Sequence, residues 1–429
     1  MKTKKVLGLV MTALIMATTV IGCGNKEETK PTDNQQGSGE VKIVYARGKD
    51  TTPANAKLIE KFNEQHKGKI KVEAVEMPSD TGKQHDQYVT VFNAKGTDYD
   101  VFDADVIWPA EFAQAGYALP LDQFVEKDNI NLKDYMQGPV QAVTFKGQLW
   151  GMPKFIDAGI LFYRKDVIDK APATWEDLIK AAQASKGKTE FGYVAQAKQY
   201  EGLVCNAVEF ISAYGGAVVD GNGDITIDSA GTKAGLETMK KVIKSDFTPS
   251  DITTFMETES ANAFIAGKSA IIRNWPYQWA LAQDATQSKV VDKVAVAPVP
   301  KGSVRSAACL GGWVAMINKY TKHPQEAWEF LKFMTGPEGQ QITATLGGSA
   351  PTLLSVYNDA EVKKNPLFSD KNFVDGLSAA VPRPVSPIYP KLSDIMQKEI
   401  SKFITGTQDV DTTVKNMDTQ MKAAVKDAK

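Results

Sequence analysis

Histidine and cysteine are scarce, with three of each in 429 residues. So few imidazoles and thiols leave little to build a zinc site or a histidine-based hydrolase, and they make no disulfide framework. An excess of one charge is also missing: 50 Lys and Arg face 51 Asp and Glu, a net charge of −1. A nucleic-acid binder of this size usually carries a basic surplus, so that class recedes. No repeat of 20–50 residues is visible, which excludes a solenoid. What is present is ordinary for a globular chain: 43% hydrophobic and 24% charged residues. That balance excludes wholesale disorder, a collagen-like chain and a multi-span membrane protein. At about 150 residues per domain, the length points to two or three domains.

The N-terminus is distinct. Lys2, Lys4 and Lys5 precede an apolar run, Val6 to Val20, that is short for a membrane span. Val20-Ile-Gly-Cys23 then places a small residue before Cys, which resembles a bacterial lipobox. The resemblance implies a signal peptide over residues 1–22 and lipidation of Cys23, with the body held on the extracytoplasmic face of the cell membrane. The competing reading is an ordinary signal peptide with a Cys at its cleavage site. Without residues 1–22 the chain has 47 bases against 51 acids, a net charge of −4. Residues 24–40 contain no large apolar side chain, so residues 23–40 are expected to form a flexible tether. Two or more acyl chains anchor a protein durably. Cys205 and Cys309 sit in apolar patterns as small hydrophobes, and an oxidising compartment would allow a bridge between them.

The body reads as alternating strands and helices. Val41 to Tyr45 and Lys69 to Val75 alternate apolar with polar residues, and Pro53 opens a helix between them with Leu58, Ile59 and Phe62 on one face. Tyr88 to Ala94 reads as a helix, and Asp100 to Trp108 as a strand. This β-α-β-α-β order predicts an open, largely parallel sheet with ligands bound beyond the strand ends, where Asp105 lies. The pattern restarts at Gly159. Thr174 and Asp177 have the spacing of a capping box. Further strands are expected over 270–273, 294–299 and 311–317. The fold class is α/β, with two lobes and more than one chain crossing between them.

Several stretches together resemble the extracellular solute-binding proteins (family 1) of bacterial ABC importers, nearest the trehalose/maltose-binding branch. They are Tyr99-Asp-Val-Phe-Asp-Ala-Asp-Val-Ile-Trp108, Gly116-Tyr-Ala-Leu-Pro-Leu-Asp122, Phe155-Ile-Asp-Ala-Gly-Ile-Leu-Phe-Tyr-Arg-Lys-Asp166, Tyr200-Glu-Gly-Leu203, Phe264-Ile-Ala-Gly-Lys-Ser-Ala270, Asn274-Trp-Pro-Tyr277, Gly311-Gly-Trp313 and Arg383-Pro-Val-Ser-Pro-Ile-Tyr389. The resemblance implies a periplasmic-binding-protein-like fold, two α/β lobes joined by a hinge with the ligand cleft between them. It puts lobe one at 41–154 plus 299–352 and lobe two at 155–298 plus 353–429. It also implies an oligosaccharide ligand, delivery to ABC permease subunits, a monomer, and neither cofactor nor metal.

A sugar presents hydroxyls and apolar ring faces, so its site needs aromatic rings together with charged or planar polar groups. By resemblance, Trp275 and Tyr277 line the sugar, Trp313 and Gly312 lie beside it, and Asp105, Asp157 and Arg383 bond hydroxyls. Core packing competes for the two rings of the Trp-Pro-Tyr turn, and an interlobe salt bridge competes for Arg383. Phe155 departs from the family's usual Tyr, which keeps a ring face and loses a hydroxyl. Asp103 points the same way as Asp105 by strand alternation. Asp50, Lys83 and Gln84 are weaker candidates from first-lobe loops, and Gly347-Gly348 reads as either a turn or a close approach.

Other patterns fail. Gly267-Lys268-Ser269 lacks the first glycine of a phosphate loop, because Asn262 stands there. Asp220, Asn222, Asp224 and Asp228 have calcium-loop spacing, but Ile225 and Gly231 replace the required Gly and Glu. His66, His85 and His323 fall in polar stretches and are expected in solvent. The leading function is capture of an oligosaccharide, with an α-glucoside disaccharide such as trehalose, maltose or sucrose foremost. The alternative is a secreted glycoside hydrolase using Asp105 and Asp157. Trp275→Ala and Arg383→Ala are expected to weaken binding and spare the fold.

Overall fold

The computed structural model describes residues 39–220, 223–378 and 380–428. The expected signal peptide, Cys23 and the tether through residue 38 lie outside the described residues, as does Asn222.

Two sheets are built from β1 (Val41–Arg47), β2 (Ile70–Glu76), β3 (Val101–Asp105), β4 (Met152–Ala158), β5 (Ile160–Arg164), β6 (Phe191–Val194), β7 (Ser269–Asn274), β8 (Val294–Pro298) and β9 (Leu310–Ile317). The first has the order β2-β1-β3-β9-β4, and the second β8-β5-β7-β6. β1 runs parallel to β2 and β3, as the β-α-β-α-β pattern requires. β9 is antiparallel to both of its neighbours, so the sheet is mixed rather than largely parallel. The reason is connectivity: β9 enters from the second lobe and not through a helical crossover on its own sheet. All five residues of β3 are buried, because helices cover both faces of this central strand.

The helices follow their local signals. α1 (Ala54–Gln65) buries Leu58 and Phe62, one turn apart, and α2 (Thr81–Asn93) is capped by Asp80, which accepts the Lys83 N–H at 3.2 Å. α3 (Trp175–Ala184) opens with the expected capping box, at 3.0 Å for Asp177 N–H to Thr174 Oγ1 and 3.2 Å for Thr174 N–H to the Asp177 carboxylate. α4 (Glu201–Ala213) is buried along its whole length, so its Glu201, Asn206 and Glu209 must find partners inside the protein. α5 (Glu257–Ile265) and α6 (Pro337–Gly347) approach the gap between the lobes. α7 (Tyr389–Thr405) and α8 (Val410–Asp427) close the second lobe as a hairpin.

The chain passes between the lobes three times, and the crossings hydrogen-bond to one another. Gly159 N–H donates to Cys309 O at 3.3 Å, Val381 N–H to Ala308 O at 2.7 Å, and Leu310 N–H to Val381 O at 2.8 Å. β4 therefore runs past residue 154 and stays in the first sheet to Ala158. Residues 353–377, expected in lobe two, pack on the first core through Leu353, Val356, Val362, Leu367, Phe368 and Leu377. Their short turns carry apolar residues at irregular spacing, so no periodicity marked them.

The histidine expectation changes, while the two cysteines keep the small-hydrophobe places read for them. His85 is half-buried, bonds the Glu111 carboxylate at 2.8 Å and packs on Trp108 and Phe112. His66 stacks on Phe62 with ring centres 4.0 Å apart. Cys205 and Cys309 are both buried free thiols.

Candidate functional site

A cavity of about 350 Å³ lies between the lobes. Asp105, Phe155, Asp157, Trp275, Tyr277, Gly312, Trp313 and Arg383 all line it, as do Asp50, Gln84, Asp103 and Gly347. Lys83 is not among the lining residues, and its side chain is exposed.

The carboxyl end of β3 supplies two acids to the same side. Asp103 pairs with Lys154 at 2.8 Å and accepts the Tyr45 hydroxyl at 2.8 Å, while Lys154 also reaches Tyr45 Oη at 2.7 Å. Asp105 pairs with Arg383 at 2.8 Å and 3.4 Å. The same guanidinium donates to Glu201 on α4 at 2.8 Å. Glu201 further accepts from Tyr389 Oη at 2.5 Å and from Ser393 Oγ. Burial pushes the Glu201 carboxyl up against the pull of Arg383. Arg383 thus lines the cavity and also ties the first lobe to the second. Arg383→Ala would strand two buried carboxylates, at a cost of about 3–5 kcal/mol, so the expectation that it spares the fold does not hold.

The rings are set by glycine and charge. The Arg273 guanidinium lies 4.0 Å from the centre of the Trp275 ring, and Trp275 Nε1 donates to Glu257 at 3.4 Å. Gly311 packs so close that a Cβ there would be 3.0 Å from the indole. Gly312 has φ +126°, and a Cβ would stand 2.5 Å from Phe155 O. A register shift between Trp313 and Val314 follows on β9, and Trp313 meets Trp108 edge-on at 5.6 Å. Tyr277 donates to Asn274 Oδ1 at 3.4 Å. Gly348 caps α6 at φ +67°, where a Cβ would lie 3.3 Å from Tyr277 Cα, so the Gly-Gly pair forms a turn packed on Tyr277.

Asp157 is 8% exposed, and its carboxylate has no hydrogen bond among the described residues. Burial pushes its pKa up to about 7, Arg273 pulls it down and Asp105 pushes it up. Asp50 is committed to the start of α1, accepting from Thr52 N–H at 2.8 Å and Asn55 Nδ2 at 2.8 Å. Gln84 donates to Tyr88 Oη at 3.1 Å. Three further lining residues, Lys154, Glu201 and Glu257, were not singled out from sequence. Glu201 and Glu257 are first-turn helix acids, a place where acids are common for the helix dipole alone.

Two α/β lobes, three crossings and a ring-lined, charged cavity between them define a two-lobe binding protein. The chain belongs to the bacterial extracellular solute-binding protein family, whose model matches residues 48–341. It is 33% identical over 367 residues to a probable ABC transporter-binding protein of Deinococcus radiodurans, covering 82% of this chain and 86% of that one. Maltose-bound MalE3 of T. maritima is 36% identical with a TM-score of 0.85, covering 90% of this chain and 100% of that one. The GacH receptor of Streptomyces glaucescens shares the fold at 24% identity and a TM-score of 0.80, covering 90% of this chain and 99% of that one.

Proposed function

We propose that this protein captures an oligosaccharide by closing its lobes and delivers it to the permease of an ABC importer. The ligand we favour is an α-glucoside disaccharide such as maltose, trehalose or sucrose, bound by a monomer anchored to the membrane through lipid on Cys23. The observation that carries the reading is one cavity combining the rings of Phe155, Trp275, Tyr277 and Trp313 with carboxylates, of which that of Asp157 has no hydrogen bond among the described residues. Rings cover sugar faces, and a free carboxylate accepts paired hydroxyls. The likeness to a maltose-bound protein at 36% identity supports the α-glucoside. Both oxygens of Asp105 are engaged by Arg383, which favours capture over hydrolysis by a carboxylate pair.

The test is a thermal-shift panel of sugars on protein beginning at residue 24. A ligand at 100 times its dissociation constant adds about 2.7 kcal/mol. At about 2–4 °C per kcal/mol the midpoint rises by several degrees with the true ligand. Trp275→Ala abolishes that shift, read from the variant's own sugar-free midpoint, which falls as the ring's contacts with Arg273 and Gly311 are lost. A flat response to every sugar overturns the reading, and sugar consumed by stoichiometric protein would point to the hydrolase.

A further inference from the structure

Glu209 and Arg273 are both wholly buried, and neither lines the cavity. Their pairing is unusually complete. Arg273 Nε lies 3.2 and 3.0 Å from the two Glu209 oxygens, its Nη2 2.5 Å from Oε1, and its Nη1 donates to Gln196 Oε1 at 3.2 Å. An apolar pair of the same volume would stabilise a core about as well, so stability alone does not account for this one.

Its surroundings do. Glu209 Oε1 also accepts the Cys309 N–H at 3.1 Å, and Cys309 belongs to the second crossing. Gly159, in the first crossing, lies directly on the pair: a Cβ there would overlap Glu209 Oε1 and come within 2.6 Å of Arg273 Nη2. On its other side the guanidinium carries the Trp275 ring, which in turn touches Gly311 just past the second crossing. One charge pair therefore contacts two of the three crossings and a ring of the cavity wall.

We infer that Glu209 and Arg273 are positioning residues, which hold the Trp275 ring in register with the crossings so that lobe closure and ring placement occur as one movement. The inference rests on reading the cavity as the ligand site. A guanidinium is suited to this because it is planar, stays ionised when buried, and offers one edge to a carboxylate and one face to an indole.

The experiment compares the wild type with Glu209→Gln/Arg273→Met, Arg273→Lys and Gly159→Ala. Two quantities are read: maltose affinity by calorimetry, and acrylamide quenching of Trp275 in sugar-free protein, isolated by subtracting a Trp275→Phe partner in each background. Arg273→Lys keeps a charge for Glu209 and loses the flat face, so it tests the idea even where the double variant fails to fold. The expected result is sugar affinity weaker by about tenfold and a more quenchable Trp275 in each folded variant. A lower unfolding midpoint with affinity and quenching both at wild-type values overturns the inference. If the wild type binds no sugar, the ligand reading falls, while the sugar-free quenching still decides the role of the pair.

Discussion

Keeping Asp157 in the cavity wall costs stability once its carboxyl is ionised. Its carboxyl ordinarily titrates near 3.8 and is raised by burial to about 7, Arg273 opposing and Asp105 adding. The folded chain therefore holds a proton that the unfolded chain releases, so stability is full below about pH 4 and falls as pH rises through about 7. Three pKa units correspond to at most about 4 kcal/mol. Asp157→Asn should flatten this slope, gaining stability over the parent at pH 8 and little at pH 4, and binding sugar more weakly at both. Urea denaturation at the two pH values, with calorimetry alongside, checks it; equal slopes in the two proteins would remove the burial argument. All eight residues that the family resemblance implied line the cavity; strand ends and turns alone would not have selected them. The double engagement of Arg383 was not legible, since Glu201 is an unremarkable first-turn acid until α4 is seen to be buried all round.

Among the elements, the short-range signals translated well. Alternation gave β1 and β2, Thr174 and Asp177 gave the cap of α3, and Pro53 gave the start of α1. The direction of β9 and the placement of 353–377 were not legible, because each depends on a partner more than a hundred residues away and on no local period. The α7–α8 hairpin shows how one side chain can organise such a contact. Glu399 on α7 accepts from Lys402 at 2.7 Å, Gln408 at 3.0 Å, Asn416 at 2.9 Å and Gln420 at 3.4 Å. Burial would raise its carboxyl, but these donors outweigh it and bring the pKa down to about 2. Its contribution is therefore present above about pH 4.5 and lost as pH falls through about 2. Glu399→Ala is expected to destabilise the protein by about 2–3 kcal/mol at pH 7 and by much less at pH 2. A pH series of denaturation midpoints measures both.

At the scale of the molecule, the two lobes meet through more than the cavity. Lys198 of the second lobe lies 3.7 Å from Asp80, the cap of α2 in the first. Both side chains are partly exposed, so the pair is worth about 0–1 kcal/mol and is screened by salt. Lys198→Ala should speed sugar release by up to about fivefold in stopped flow and reduce the salt dependence of that rate. A release rate identical to the parent at low salt would show that the pair has no part in holding the lobes together. The position of β9 has a consequence of a different kind. It is the strand between β3 and β4, yet Leu310 follows Asp105 by 205 residues in the chain. At ribosomal speeds of about 5–20 residues per second, the first sheet waits some ~10–40 s for the strand that joins β3 to β4. Throughout that interval the nascent chain cannot complete its N-terminal half, which leaves a long window in which it is still threadable.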